Sequence, residues 1–367
     1  VLSHERLARL DAAVVDHADQ LAVHLVYDRP WREDERPGLA RTQFASRCLS
    51  DDVLSSIIEV FREIGAYVEL FEGERPFVEA LASGRLATLG REMHIAFNGI
   101  GWGIGDEAFM PGRKALVPLL ADAYGMAPFN ADAHGCALTV HKLHSFLVLK
   151  ALGIQTPPTW GYHPVTGWVG PQPAHGTRAI AKSNYEASSV GVTEDSVFHV
   201  DGQTESRLRA LAESIGQLVI VQAFIPGAEV CVPVLSSTCT VVAPPVEAII
   251  PRDPQPDGIM TLADTMSPDG YSHREFAGPE PLMATLAATA ERVFTLLELR
   301  GLARFDFRID RDRVPWLFDV AIEPGISKGG SACRSFSLLG LDHASFLRAA
   351  LGASLVDWGL LQPAGST

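Results

Sequence analysis

The strongest constraint on the fold is an alternation of strand-like and helix-like segments near the start of the chain. Residues 21–27 read as a strand from their apolar and β-branched content. Residues 51–64 carry apolar side chains at helical spacing, opened by Asp51 and Asp52 and followed by Gly65. Residues 67–71 and 94–97 form two further short strands. This order predicts an α/β domain on a parallel sheet, because parallel neighbours need a crossover and a helix supplies it. A glycine-rich stretch at 98–105 follows the third strand, and a helix is expected over 114–125. The first domain is placed at residues 1–130.

Beyond it, the pattern predicts a helix over 139–152, a strand over 178–182, a helix over 206–215 and a strand over 218–224. Further strands are expected over 240–250, 304–309 and 316–322, the last two forming a hairpin around Asp310, Arg311 and Asp312. Residues 283–299 read as a helix, and 336–351 close the core. Residues 251–281, rich in Pro, Asp, Gly and Ser, read as one long loop. The second unit is placed at 131–217 and the third at 218–367.

Charge and composition exclude several function classes. Among 367 residues, 44 acidic against 30 basic side chains give a formal charge of −14. No basic stripe is available to neutralise phosphates, so a nucleic-acid partner is not expected. Five scattered cysteines without a Cys-x-x-Cys pair suit a reducing compartment, the cytoplasm, and offer no zinc or disulfide framework. No apolar run reaches membrane-spanning length. The twelve histidines include no His-Glu-x-x-His, and no Gly-x-Ser-x-Gly elbow occurs. Only Lys114, Lys142, Lys150, Lys182 and Lys328 are lysines among the 30 basic residues. Where arginine serves for generic positive charge, a retained lysine is a candidate for a site that needs a compact point charge.

Two constellations carry chemistry. Lys182 ends a strand and is followed by small residues and hydroxyls through Ser188, Ser189 and Gly191. Such a loop can fold backbone N–H groups over an anion, although serine-rich loops are often only loops. The second is the hairpin. Alternate strand residues share a face, so Arg304 and Asp306 point one way, as do Asp319, Ala321 and Glu323. Converging carboxylates suit Mg²⁺, and a neighbouring arginine suits a transferring phosphoryl group. The alternative is a solvated face of a two-stranded ribbon. A flexible glycine loop, 324–331, lies beside the carboxylates and favours a site.

Together these segments resemble an ATP-grasp ligase of the D-alanine–D-alanine ligase type. The resemblance runs through Phe97-Asn98, Thr139-Val140-His141-Lys142, Gly153-Ile154-Gln155-Thr156-Pro157-Pro158 and the Lys182–Val192 loop. It continues through Val221–Glu229, Ala303–Phe307 and Phe318–Ala321 with Pro324-Gly325. It implies an ATP-grasp fold with an N-terminal parallel-sheet domain, and an enzyme that activates a carboxylate as an acyl phosphate for attack by an amine. Lys142 and Lys182 would ride over the ATP phosphates, with Ser188 and Ser189 on a lid. Gln222, Ala223, Phe224 and Ile225 would hold adenine, and Glu229 the ribose. Asp306 and Asp319 would bind Mg²⁺, Arg304 would stabilise the phosphoryl and oxyanion charge, and Gly325, Lys328 and Ser331 would meet substrate. Such ligases are commonly homodimers acting on amino-acid-like substrates.

The departures lie mostly on the substrate side. The Glu-x-Asn metal motif reads Asp319-Val320-Ala321, so Glu323 is expected to replace the missing ligand. No lysine lies between Lys182 and Lys328, so Arg252 or Arg274 is the candidate substitute for a loop lysine. The carboxylate that orients the first substrate is expected within residues 28–35. These changes point to a ligase with other amino-acid substrates. A nucleotide-binding protein without catalysis is the alternative, and a purely structural α/β protein is a third.

Overall fold

The structure, a computed structural model, describes residues 3–29, 48–99, 111–185, 187–236, 238–252, 258–267 and 269–362. Most of the glycine-rich stretch at 98–105 and most of the 28–35 segment fall outside them.

In the N-terminal part, helix α1 (Ser3–Asp16) precedes strand β1 (Leu21–Tyr27), whose seven residues are all buried. Helix α2 (Asp51–Glu63) is capped by the Ser50 hydroxyl, which accepts from the Val53 N–H. Strand β2 (Tyr67–Glu72), helix α3 (Glu74–Ala82), strand β3 (Met93–Gly99), helix α4 (Leu116–Ala123) and the two-residue strand β4 (Ala127–Pro128) follow. The four strands run in the order β2-β1-β3-β4, all parallel. The alternation read from the sequence thus yields the expected sheet.

Helix α5 (Ala133–Val140) and helix α6 (Lys142–Ala151) occupy the segment expected as one helix. The break at His141 has a long-range cause. The carbonyl of Asn184 takes the Lys142 N–H at 3.1 Å and its side-chain Oδ1 takes the Leu143 N–H at 2.9 Å. Both groups belong to the first turn of α6, whose N–H groups have no partner within the helix.

The middle of the chain folds into an antiparallel sheet of β5 (Thr159–His163), β6 (Gly167–Val169), β7 (Arg178–Ser183), β8 (Val197–His199) and β9 (Val219–Ala223), ordered β6-β5-β9-β7-β8. Helix α7 (Thr204–Ile215) packs on it through Leu208 and Ala212. The third sheet centres on β10 (Ala228–Leu235), a strand the sequence reading missed. Around it run β11 (Val241–Val242), β12 (Val246–Ile249), β13 (Ser272–Glu275), β14 (Leu302–Ile309) and β15 (Pro315–Ala321), in the order β13-β12-β10-β14-β15 with β11 also on β10. The single strand expected at 240–250 is split at Pro244-Pro245, which lack ladder donors. The expected 251–281 loop contains a short helix, α8 (Leu262–Met266), and β13. The helix starts with a capping box between Thr261 and Asp264.

Helix α9 (Glu280–Leu296) covers this sheet, with Leu286, Val293 and Phe294 meeting Phe305 and Phe307. Helix α10 (Ser331–Ser337) and helix α11 (His343–Asp357) complete the chain. The first and last of the described helices share one core: Leu7, Leu10 and Val14 of α1 pack with Phe346, Leu347 and Leu351 of α11 and with β1. Gly352 permits the close approach, since a Cβ there would lie 2.6 Å from the Leu10 carbonyl oxygen.

Candidate active site

A cavity of about 310 Å³ lies between the second and third sheets. Lys142, Lys182, Ser188, Ser189, Gln222, Ala223, Phe224, Ile225 and Glu229 line it, as do Arg304, Asp306, Asp319, Glu323, Gly325 and Ser331. Lys328 does not. The two proposed arginine substitutes are elsewhere: Arg252 pairs with Asp264 at 2.6 Å, and Arg274 pairs with Glu247 at 2.8 Å.

At one end, β7 carries Lys182 into the cavity. Its ammonium lies 5.0 Å from the centre of the Phe318 ring and has no ion-pair partner among the described residues. Burial pulls its pKa from the usual lysine value down to about 8, with Asp319 opposing that shift. The following loop is held by Ser183 Oγ, which donates to the Val190 carbonyl at 2.8 Å. Ser188 and Ser189 both adopt left-handed backbone, with φ of 52° and 57°. Two adjacent non-glycine residues in that region carry strain, which proteins retain chiefly at functional loops.

Strand β9 supplies the next wall. Gln222 is 1% exposed; its Nε2 donates to Thr159 Oγ1 at 3.2 Å, while its Oε1 is buried with no donor. A buried acceptor without a partner costs stability until a ligand or water supplies one. Phe224 is flanked by Arg178 at 4.5 Å and Arg308 at 5.8 Å from its ring centre. Glu229 on β10 pairs with Arg308 at 3.0 Å. Burial raises the Glu229 pKa against the pull of that arginine.

At the far end, β14 and β15 present the carboxylate hairpin. Asp306 stands opposite Asp319 in the ladder, and Arg304 opposite Ala321. A bulge after this pair shifts the register between Asp306 and Phe307. It puts consecutive side chains, Phe318 and Asp319, on the cavity wall. Arg304 grips Asp306 with two hydrogen bonds of 2.7 Å and donates to Ser331 Oγ at 3.1 Å. Burial works against the Arg304 charge, but Asp306 outweighs it and raises the pKa. Lys142, at the start of α6, reaches Asp319 at 2.5 Å. Burial opposes the Asp319 charge, yet Lys142 and Lys182 hold its pKa below the usual carboxylate range.

Glu323 is not gathered with the other two carboxylates. Asn98, at the end of β3, donates to its Oε1 at 2.8 Å, and Lys114 pairs with its Oε2. Among the described residues no group of three or more His, Cys, Asp or Glu side chains is placed to hold a metal. Each carboxylate is instead matched by its own cation. Nearby, Arg113 bridges Asp28 (2.9 and 3.1 Å) and Glu74 (2.5 Å), with all three residues less than a tenth exposed.

The sequence reading overlooked Arg308, which donates to the Gly227 and Gly258 carbonyls besides Glu229. The signal was present: Arg304, Asp306 and Arg308 alternate along one strand face and all line the cavity. Cys231, Tyr271 and His273 also line it and were not anticipated.

Residues 175–351 match the family described as D-ala D-ala ligase C-terminus. The chain is 27% identical over 264 residues to a D-alanine–D-alanine ligase of Synechococcus sp. (strain JA-3-3Ab), covering 70% of this chain and 76% of the relative. It is 28% identical over 257 residues to that of Nitratidesulfovibrio vulgaris (strain DP4), covering 68% and 77%. Among solved structures, the D-alanine–D-alanine ligase of Bacillus anthracis complexed with ATP superposes with a TM-score of 0.63 at 12% identity, covering 92% of this chain and 99% of that one. The Coxiella burnetii enzyme gives 0.60 at 13% identity, covering 93% and 96%. The fold is that of the ATP-grasp ligases, which join carbon to nitrogen. Within that class the chain is similar to the D-alanine–D-alanine ligases, in sequence over residues 175–351 and in fold over most of its length.

Proposed function

We propose that the protein is an ATP-dependent carboxylate–amine ligase that joins amino acids through an acyl-phosphate intermediate. The observation that carries this reading is Lys182, a desolvated ammonium with no ion pair among the described residues, beside cations that are all matched. An anion brought to it regains the Coulomb energy that burial took away. Gln222 Oε1 supports adenine as the base, because the exocyclic amine of adenine is a donor where guanine presents an acceptor.

On this reading Lys142 and Lys182 hold the phosphates and Glu229 accepts from the ribose. Asp306 and Asp319 suit Mg²⁺, which typically takes one or two carboxylates and completes its shell with phosphate oxygens and water. The ion would supply charge neutralisation for phosphoryl transfer. Arg304 faces the transferring group and then the oxyanion formed when the amine attacks. Ser331 fixes the guanidinium from the side. No side chain acts as a nucleophile; catalysis is positioning and charge stabilisation, with the Ser188–Ser189 loop excluding water from the acyl phosphate. Residues 1–130 would serve as substrate domain, 131–217 as lid and 218–367 as the metal-bearing part. A cytoplasmic homodimer acting on free amino acids completes the proposal; among the described residues no helix is long and apolar enough to cross a membrane.

The test is incubation with ATP, magnesium and pooled D- and L-amino acids, following ADP and phosphate and weighing the products, with Lys182→Ala as control. Amino-acid-dependent ADP release, with a product mass equal to two components minus water, is the expected result. ATP binding without turnover in any pool would replace the ligase with a non-catalytic nucleotide-binding protein.

A further inference from the structure

Glu323 lies two residues beyond Ala321 and so follows the row of β15 that faces Arg304. It lines the cavity at the corner nearest the N-terminal sheet. Behind it, Asn98 Nδ2 donates both to Glu323 Oε1 at 2.8 Å and to the Lys114 carbonyl at 3.0 Å. The other atom of the same amide, Asn98 Oδ1, is buried without a donor, and Asn98 is only 6% exposed. An ionised carboxylate accepts at about four lone-pair positions. Asn98 and Lys114 occupy one on each oxygen. The corner therefore has acceptors to spare, and a group rich in N–H donors satisfies them where a carboxylate or phosphate cannot. Ala321 contributes only a methyl group between this corner and Arg304.

We propose that Glu323, held from behind by Asn98, receives the ammonium group of the α-amino acid whose carboxylate is activated at Arg304. The opposite charges of a zwitterion would then fall on matching groups of one strand row. This inference rests on the ligase reading for the fate of the carboxylate, but the ammonium site is a binding property and is measured without turnover. Glu323 is then a substrate-binding residue instead of the substitute for the missing metal ligand. Lys114 is the cation that holds it in the free protein.

Calorimetry on the full chain with ADP and magnesium tests the assignment. The probes are the proteinogenic amino acids in both enantiomeric forms and, for each that binds, the des-amino carboxylic acid with the same side chain. The wild type is expected to prefer the amino acid by about 10- to 100-fold, the range for a charge-assisted hydrogen bond. Glu323→Gln erases that preference, whereas Lys114→Gln, which leaves the carboxylate and removes its competing cation, keeps or widens it. If Glu323→Gln does not fold, the double variant Glu323→Gln/Lys114→Met removes both charges together and takes its place. Equal losses in the Glu323→Gln and Lys114→Gln variants would make the pair a structural tie and overturn the proposal. Des-amino acids that bind the wild type as tightly as amino acids would also overturn it, as would no amino-acid binding at all. Amide formation unaffected by Glu323→Gln sinks this assignment alone; charge-selective binding with no ADP release sinks the ligase reading alone.

Discussion

At the edge of the parallel sheet, Arg113 is sealed between Asp28 and Glu74. On β7, Lys182 is buried with no ion pair among the described residues. The first cluster answers its own desolvation: burial works against the Glu74 carboxylate, but the Arg113 hydrogen bond and Glu74's own backbone hold its pKa below the usual range. The second leaves its desolvation unanswered, and the lysine pKa falls to about 8. A cluster matched by its own counter-charges is self-sufficient, whereas a buried charge without an ion pair in a cavity marks a candidate binding site.

Removing Arg113 is the severest test of that contrast. Arg113→Leu strands two buried carboxylates and should cost about 3–5 kcal/mol of folding stability. Chemical denaturation measures it, and nucleotide affinity of the protein that remains folded should be unchanged. Arg304→Gln should do the opposite, cutting ligase turnover by about 10²- to 10³-fold, as loss of an oxyanion donor does. Its midpoint of unfolding should also fall, because Asp306 loses its cation, but by less than that of Arg113→Leu, which strands two carboxylates; equal falls would erase the distinction between the two regions. The pH dependence of ATP binding sharpens the comparison. Free Lys182 is protonated below about pH 8, and phosphate binding favours that form. Affinity should therefore be full below that pH and decline above it, by up to about tenfold per pH unit. Lys182→Met should flatten the curve, and a curve that stays sloped would assign the titration to another group. The smallest effect expected is for Gln222→Leu, which should weaken the preference for ATP over GTP by about tenfold, the worth of one buried hydrogen bond. Competition binding with the two nucleotides reads it directly.

The cavity-lining residues were legible because they are local in sequence. Lys182, Ser188 and Ser189 lie at one strand end and its loop, and Arg304, Asp306 and Asp319 on one hairpin, so local pattern placed them on one cavity, whereas Glu323, just past that hairpin, is drawn to Asn98 and Lys114. What escaped was long-range or masked by residue type. Asn98 meets Glu323 across 225 positions, and no local pattern announces such a contact. The division of α5 from α6 is imposed by Asn184, from a strand end far downstream. Pro233 disguised β10, although a proline can sit in a strand where its missing donor is not needed. Helix α1 was the avoidable omission: Leu7, Leu10 and Val14 mark one helical face in the sequence.

The pairing of α1 with α11 also governs the order in which the chain can mature during synthesis. Leu7, Leu10 and Val14 leave the ribosome well before Phe346, Leu347 and Leu351, which cover them and lie more than two sheets downstream. The nascent parallel sheet must wait with an apolar flank uncovered until both later sheets have been made. Contacts of such sequence separation slow folding and leave intermediates open to aggregation. A chaperone that shields α1 on the ribosome would stand in for α11 until that helix arrives.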